Sequence, residues 1–406
     1  MNDYSPYLNW IDSRFGRCVD LLTTWANVNS GTYNLSGLEK MCSMLEKEVG
    51  ALGGETRTIE LEPQEVVDRR GEMVQIPLGK ALLVRKLPAA DLRVFFCVHM
   101  DTVYDLEHPF QKCHRVHENE LKGPGVADAK GGLLVMLTAV QAFERSPWAA
   151  NLGWDILINP DEEVGSPGSA PLLEEAARNN HLGLVYEPAQ AGGRLVSTRK
   201  GSGNFAVVIR GRAAHAGRSP DLGRNAIDAL AEFIVELNTF ADTKKGIALN
   251  VGAITGGGAV NVVPDLALCR FNVRVTSRSD QKSFEEKLSS LVAKINARDG
   301  ISVEVHGNFA RPPKPLEGKS LELATHIEVC GRELGMPVTW ISTGGVCDGN
   351  NLYSAGLPTI DSLGVTGGNL HSIDEYVVLD SLTERARLTA LLLMKLASGE
   401  IQWQSG

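Results

Sequence analysis

The stretch Leu92-Arg93-Val94-Phe95-Phe96-Cys97-Val98-His99-Met100-Asp101-Thr102 decides how the rest of the chain is read. Its first seven residues are almost continuously apolar, as expected of a strand buried on both faces. Such a strand needs a covering layer on each side. A helical apolar stripe follows over residues 131–144, through Leu134, Leu137, Ala139 and Val140. The order then repeats with a strand at 154–159, a helix at 169–178 and a strand at 182–186. Strands alternating with helices predict an α/β domain on a mostly parallel, covered sheet. Upstream, helices are predicted over 7–27 and 35–52, the second capped by Asn34 or Ser36, with strands at 56–61 and 81–86.

Near Lys200 the pattern changes. A strand at 205–211, a helix at 225–240, strands at 248–255 and 267–276, a helix at 281–298 and a strand at 301–307 give the β-α-β-β-α-β order of a ferredoxin-like unit. Arg311-Pro312-Pro313-Lys314-Pro315 reads as a stiff connector. Helices at 320–334 and 381–397, with an extended segment at 359–363, resume the α/β style. The expected organisation is a discontinuous domain of residues 1–199 and 316–406, split by an inserted α+β domain at 200–315.

The chain has 406 residues, 43% of them hydrophobic and 22% charged, which is ordinary for a globular protein. A formal charge of −9 without a long basic run argues against nucleic acid and anionic membrane as main partners. No apolar run approaches the roughly 20 residues of a membrane span. Residues 1–20 lack the basic start, apolar core and small-residue cleavage site of a secretory leader. Seven scattered cysteines, with no Cys-x-x-Cys, suggest free thiols in a reducing compartment. A cytoplasmic enzyme is expected.

The chemistry concentrates at strand ends, where an α/β sheet gathers ligands from distant parts of a chain. His99 and Asp101 stand two apart as the buried strand runs out, so they share a face. If His99 binds a metal, Asp101 can hold its other ring nitrogen; standing alone, a strand-end histidine is more often structural. Asp128 lies between Gly123-Pro124-Gly125 and Lys130-Gly131-Gly132, where it can bridge two cations or simply cap a helix. Glu162 and Glu163 follow a strand. Neighbouring side chains point in different directions, so Glu163 suits a ligand and Glu162 a general base. Glu187 ends the strand at 182–186 and could otherwise face solvent. His371, in Gly367-Gly368-Asn369-Leu370-His371-Ser372, is either a ligand or a solvated loop residue. An oxygen and nitrogen donor set without thiolate suits zinc, with manganese or cobalt also accommodated.

The strings His99-Met100-Asp101-Thr102-Val103, Gly123-Pro124-Gly125-Val126-Ala127-Asp128-Ala129-Lys130-Gly131-Gly132, Asp161-Glu162-Glu163-Val164-Gly165-Ser166 and Glu187-Pro188 resemble the zinc exopeptidases and amidohydrolases. That superfamily includes bacterial glutamate carboxypeptidase, acetylornithine deacetylase, succinyl-diaminopimelate desuccinylase, aminoacylase and peptidase T. Gly211-Arg212-Ala213-Ala214-His215-Ala216-Gly217 resembles its lid motif. The resemblance implies one metal on His99 and Glu187, another on Glu163 and His371, Asp128 bridging, Glu162 as base and Asp101 orienting His99. It also implies a cis bond between Asp128 and Ala129, and a homodimer through the lid. In that dimer His215 serves the partner's site as a catalytic residue, while Asn261 and Arg274 bind substrate. A surface ion pair for Arg274, a turn role for Asn261 and an ordinary loop role for His215 are the plain alternatives. The implied activity is hydrolysis of an N-acyl amino acid or dipeptide-like amide bearing a free carboxylate. A biosynthetic deacetylase or desuccinylase is the nearest alternative, and a metal-free binding or scaffold protein the alternative from another class.

Overall fold

The computed structural model describes residues 2–403. The decisive stretch forms the strand Arg93–His99, buried along its whole length. Alternation divides it between two cores: Val94, Phe96 and Val98 join a large apolar cluster, Phe95 and Cys97 a smaller one on the opposite face. The six-stranded sheet runs Glu55–Ile59, Ala81–Lys86, Gly153–Asn159, Arg93–His99, Leu182–Val185, Thr359–Ile360. The last four strands are mutually parallel, and the first two add an antiparallel edge. One face is covered by Lys130–Glu144, apolar and buried on nearly every side, together with Ser381–Ala397. A helix that is hydrophobic all round belongs in an interior. Leu173, Ala176 and Ala177 of the helix Ala170–Asn179 and Leu352 of Asp348–Ser354 cover the other face.

Two departures from the expected elements stand in the N-terminal part of the chain. The helix expected over 7–27 is broken into Ser5–Asp12 and Phe15–Ala26, where the Ser13 hydroxyl donates to Trp10 O and competes with the helical ladder. The hairpin pairing Gln64–Val67 with Met73–Ile76 was not anticipated, because Met73 and Val74 point to solvent and leave no core-facing alternation to read.

The second sheet is wholly antiparallel, in the order Ala248–Gly256, Leu266–Val275, Gly201–Arg210, Ser302–Arg311. Its first and third strands in chain order are central, as in a ferredoxin-like unit. Ala267, Cys269, Phe271, Val273 and Val275 turn towards the helices Ala226–Asn238 and Arg278–Asn296, forming a separate core. Arg270, Asn272 and Arg274 alternate onto the other face. The hairpin reaches this face: Val67 packs with Val208 and Leu268, and Arg210 Nη2 donates to Gly71 O at 2.9 Å.

Where the chain crosses between the sheets, its outgoing and returning segments are bonded to each other. Arg199 N donates to Lys314 O at 2.9 Å and Lys314 N to Arg199 O at 3.0 Å. The Asn350 amide donates to both Lys200 O and Pro312 O. Both crossing side chains converge on buried Asp361, Arg199 Nη2 at 2.8 Å from Oδ1 and Lys314 Nζ at 3.0 Å from Oδ2. Burial pushes the Asp361 carboxyl up, but the Arg199 and Lys314 charges outweigh it and hold the group well below the usual carboxylate range. Among the described residues no helix is long and apolar enough to cross a membrane. All seven cysteines are free.

Removing Asp361 leaves two buried cations without their counter-charge. Asp361→Ala is expected to destabilise the protein by about 3–5 kcal/mol at neutral pH, the range for breaking a buried pair. A depressed folded pKa stabilises above the unfolded value of about 4 and loses that contribution as pH falls below it. The gap between the wild-type and variant denaturation midpoints therefore narrows on acidification. Equal midpoints at neutral pH would show that the crossing is held elsewhere.

Candidate active site

His99 is the last residue of the central strand, and its ring is fixed from behind. Nδ1 lies 3.0 Å from Asp101 O and 3.3 Å from Asp101 Oδ1, both acceptors, so Nδ1 carries a proton. Nε2 then faces the acids, 3.0 Å from Asp128 Oδ1 and 4.0 Å from Glu187 Oε1. Asp101 does more than touch His99. Its carboxylate accepts the backbone N–H groups of Glu162 and Glu163 and the Thr32 hydroxyl, so one buried acid aligns the histidine with the acidic turn.

Asp128 offers its second oxygen to His371 Nε2 at 3.2 Å, and the same nitrogen lies 3.4 Å from Glu163 Oε2. The peptide bond after Asp128 is cis. Asn369 and His371 have φ of 54° and 60°, a left-handed conformation uncommon for residues with side chains. Such strain persists only where surrounding structure enforces it, and here it belongs to the loop that presents His371. Ligand atoms of His99, Asp128 and Glu163 lie within 4.8 Å of one another, as do those of His99, Glu162 and Glu187. All five expected ligand residues and Glu162 thus meet in one candidate metal-binding site.

Its electrostatics are those of crowded, dehydrated acids. Burial raises Glu163 and Glu187 well above the carboxylate range, with the Asp128 charge adding to the first and the Glu162 charge to the second. Asp128 goes the other way: bonds from His371 and His99 outweigh its burial and hold it low. Burial pushes the Glu162 carboxyl up to about 7, opposed chiefly by the Arg311 guanidinium. Arg311 lies 2.8 Å from Glu162 Oε1 and donates to Glu162 O, Ser166 Oγ, Asn351 Oδ1 and Asp348 Oδ1. A planar fork of donors can serve that many acceptors at once, which an ammonium cannot.

The three remaining candidates are not in this cluster. His215 and Asn261 sit together on exposed loops of the second sheet, joined where Ala216 N donates to Asn261 O, and the His215 Nδ1 accepts from Gly217 N and Arg218 N. Among the described residues His215 makes no hydrogen bond or ion pair to the acidic cluster. Arg274 is half-buried, 3.0 Å from Asn272 Oδ1 and 3.4 Å from Gly344 O. Burial lowers its pKa, and the nearby Arg311 charge lowers it further.

Sequence reasoning missed Arg311, which opened what read as a proline-stiffened linker, and it did not single out Glu375. Neither lies in a pattern that a local reading can weigh. Cys347, by contrast, behaves as a buried helix cap, its sulfur accepting from Gly349 N.

Residues 95–395 match the peptidase family M20/M25/M40. Carboxypeptidase G2 of Pseudomonas sp. (strain RS-16) is 28% identical over 392 residues, covering 94% of this chain and 90% of that protein. A succinyl-diaminopimelate desuccinylase of Pseudoalteromonas atlantica is 31% identical over 299 residues, covering 69% and 76%. A tripeptidase of Staphylococcus aureus superposes with a TM-score of 0.71 at 20% identity, covering 95% and 99% of the two chains. A dinuclear metal-binding peptidase of Bacillus subtilis does so with 0.64 at 14% identity, covering 95% and 99%. At these identities the two structures speak to the fold alone. With the match running over the acidic cluster and both sheets, the chain belongs to the M20/M25/M40 peptidase family, as a hydrolytic enzyme.

Proposed function

We propose that this enzyme is a two-cation hydrolase cleaving the amide bond of an N-acyl amino acid or dipeptide-like substrate with a free carboxylate. The observation that carries the reading is the convergence of His99, Asp128, Glu163, Glu187 and His371, with Glu162 held beside them by Arg311. The donor set fits divalent cations. Glu163 and Glu187 are pushed towards neutrality by burial and by the neighbouring Asp128 and Glu162 charges, so the fold gathers more negative charge than its own cations balance. Oxygen and imidazole donors without thiolate suit zinc, and accept cobalt or manganese.

On this reading His99 and Glu187 would hold one cation, Glu163 and His371 the other, with Asp128 between them. When bound, the pair supplies Lewis acidity and lowers the pKa of a water towards about 7. The chain's own groups carry the protons. Glu162 takes one from the attacking water as the new C–O bond forms, and returns it to the amide nitrogen as the C–N bond breaks. The products are a carboxylate and an amine, the amine taking up the second water proton as the new carboxylic acid ionises. Asp101, through Nδ1 of His99, holds the imidazole in place. Arg274 offers two parallel N–H groups to the substrate carboxylate, with Asn261 binding another polar group.

We place His215 in the partner's site, in a two-fold dimer formed through the 200–315 domain, where it polarises the scissile carbonyl. The strand Ala248–Gly256 is a sheet edge and exposes Ile254; the neighbouring helix Ala226–Asn238 exposes Ile227 and Val235. An apolar, unpaired edge favours association. Seven free cysteines suit the cytoplasm.

Two tests follow. Screened against N-acyl amino acids, N-succinyl-diaminopimelate and dipeptides with added zinc, cobalt or manganese, the enzyme is expected to require both a free carboxylate and a cation. Glu162→Gln should then lose at least about 10²-fold in kcat while keeping its metal content. Near-normal turnover by the metal-loaded variant removes Glu162 from the role. For the shared site, a heterodimer of His215→Ala with Glu162→Gln joins one intact base to one donated histidine and should regain activity at one of its two sites. Heterodimers confirmed by mass and yet inactive, or a fully active monomer, would exclude donation in trans.

A further inference from the structure

Glu375 is buried, 1% exposed, four residues beyond His371. Its Oε1 accepts from Ala127 N at 2.9 Å and Asp128 N at 3.1 Å; its Oε2 accepts from Gly125 N at 3.1 Å. The Tyr104 hydroxyl lies 2.8 Å from Oε2 and 2.8 Å from Ser372 O, so its one proton is shared between them. Gly123 N donates to Glu375 O as well. A single carboxylate therefore ties three segments: His99 to Tyr104, Gly125 to Asp128, and His371 to Glu375. Three converging backbone N–H groups form a nest that a carboxylate fills and a neutral side chain fills poorly.

Resting on the metallohydrolase reading above, we infer that Glu375 is a positioning residue for the cation site, fixing Asp128 and His371 relative to His99 through the Gly125–Asp128 backbone and the Tyr104 hydroxyl. Asp128 faces His99 with one oxygen and His371 with the other. Its carboxylate can point at both only while its own backbone is held. Glu375 holds that backbone by the nitrogen of Asp128 itself and by the two N–H groups nearest before it that face inwards. Glutamine at this position keeps one acceptor oxygen and turns an NH2 group towards N–H donors that need an acceptor. Either the Gly125 donor or the Ala127 and Asp128 donors are then unpaired.

The test is cobalt binding to purified, metal-stripped protein, followed by the visible absorption of the bound ion, which reports ligand geometry without substrate. Outer groups that orient ligands are worth about 10–100-fold in metal affinity. Glu375→Gln is expected to weaken cobalt binding by that factor and to alter the spectrum. Tyr104→Phe, which keeps the carboxylate and threatens folding less, should weaken binding by several-fold. Leu230→Ala, in the core of the second sheet, serves as a control that lowers the melting temperature and leaves cobalt affinity unchanged. Folded Tyr104→Phe and Glu375→Gln proteins with wild-type affinity and spectrum, however low their melting temperatures, overturn the inference and leave the hydrolase reading intact. A wild-type protein that binds no cobalt, zinc or manganese overturns both.

Discussion

Like-charge repulsion among buried carboxylates is the interaction on which this structure turns. Asp128, Glu162, Glu163 and Glu187 crowd around His99 at the end of one buried strand. Charges a few ångströms apart in a low-dielectric interior interact far more strongly than in water, and burial alone already disfavours each anion. Left to itself the cluster would relax outwards or take up protons. The scaffold forbids the first: strand ends set the origins of His99 and Glu187, Asp101 holds the Glu162–Glu163 turn by its backbone, and Glu375 holds the Asp128 loop. Arg311 offsets part of the charge at Glu162. What remains is the imbalance that divalent cations would relieve on the proposed reading.

The same logic explains which parts could be read in advance. The central strand announced itself because both of its faces are apolar, and the ferredoxin-like order because hydrophobic period switches between 2 and 3.6 along residues 201–311. His99, Asp128, Glu163, Glu187 and His371 carried a chemical signal of their own, being metal-ligand residue types at element ends. Glu375 and Arg311 did not. Their meaning lies in contacts with residues some 250 and 150 positions away, Gly125 and Glu162, and an acid in a loop or an arginine before prolines looks the same whether buried or solvated. The break at Ser13 and the hairpin at 64–76 were hidden for a different reason, since a side-chain bond to the backbone and exposed apolar residues leave no periodic trace.

The crossing between the sheets ties the second sheet to the site in an unexpected way. Arg199 and Lys314 are anchored on Asp361, while Asn350 grips the carbonyls on either side. Three residues before Lys314, Arg311 ends a strand of the second sheet and bonds both Glu162 and Asp348, the first residue of the helix that also carries Asn350. The proposed base therefore touches the last residue of a second-sheet strand.

The central claim is that the buried acids are a paired cation site. Anomalous diffraction from crystals of the zinc-loaded protein tests it most directly. The account predicts two peaks, one on each side of the Asp128 carboxylate, the first bound by His99 and Glu187 and the second by Glu163 and His371. Zinc-loaded crystals with no peak among these residues, or with a single ion that leaves either pair of ligands uncoordinated, would contradict it.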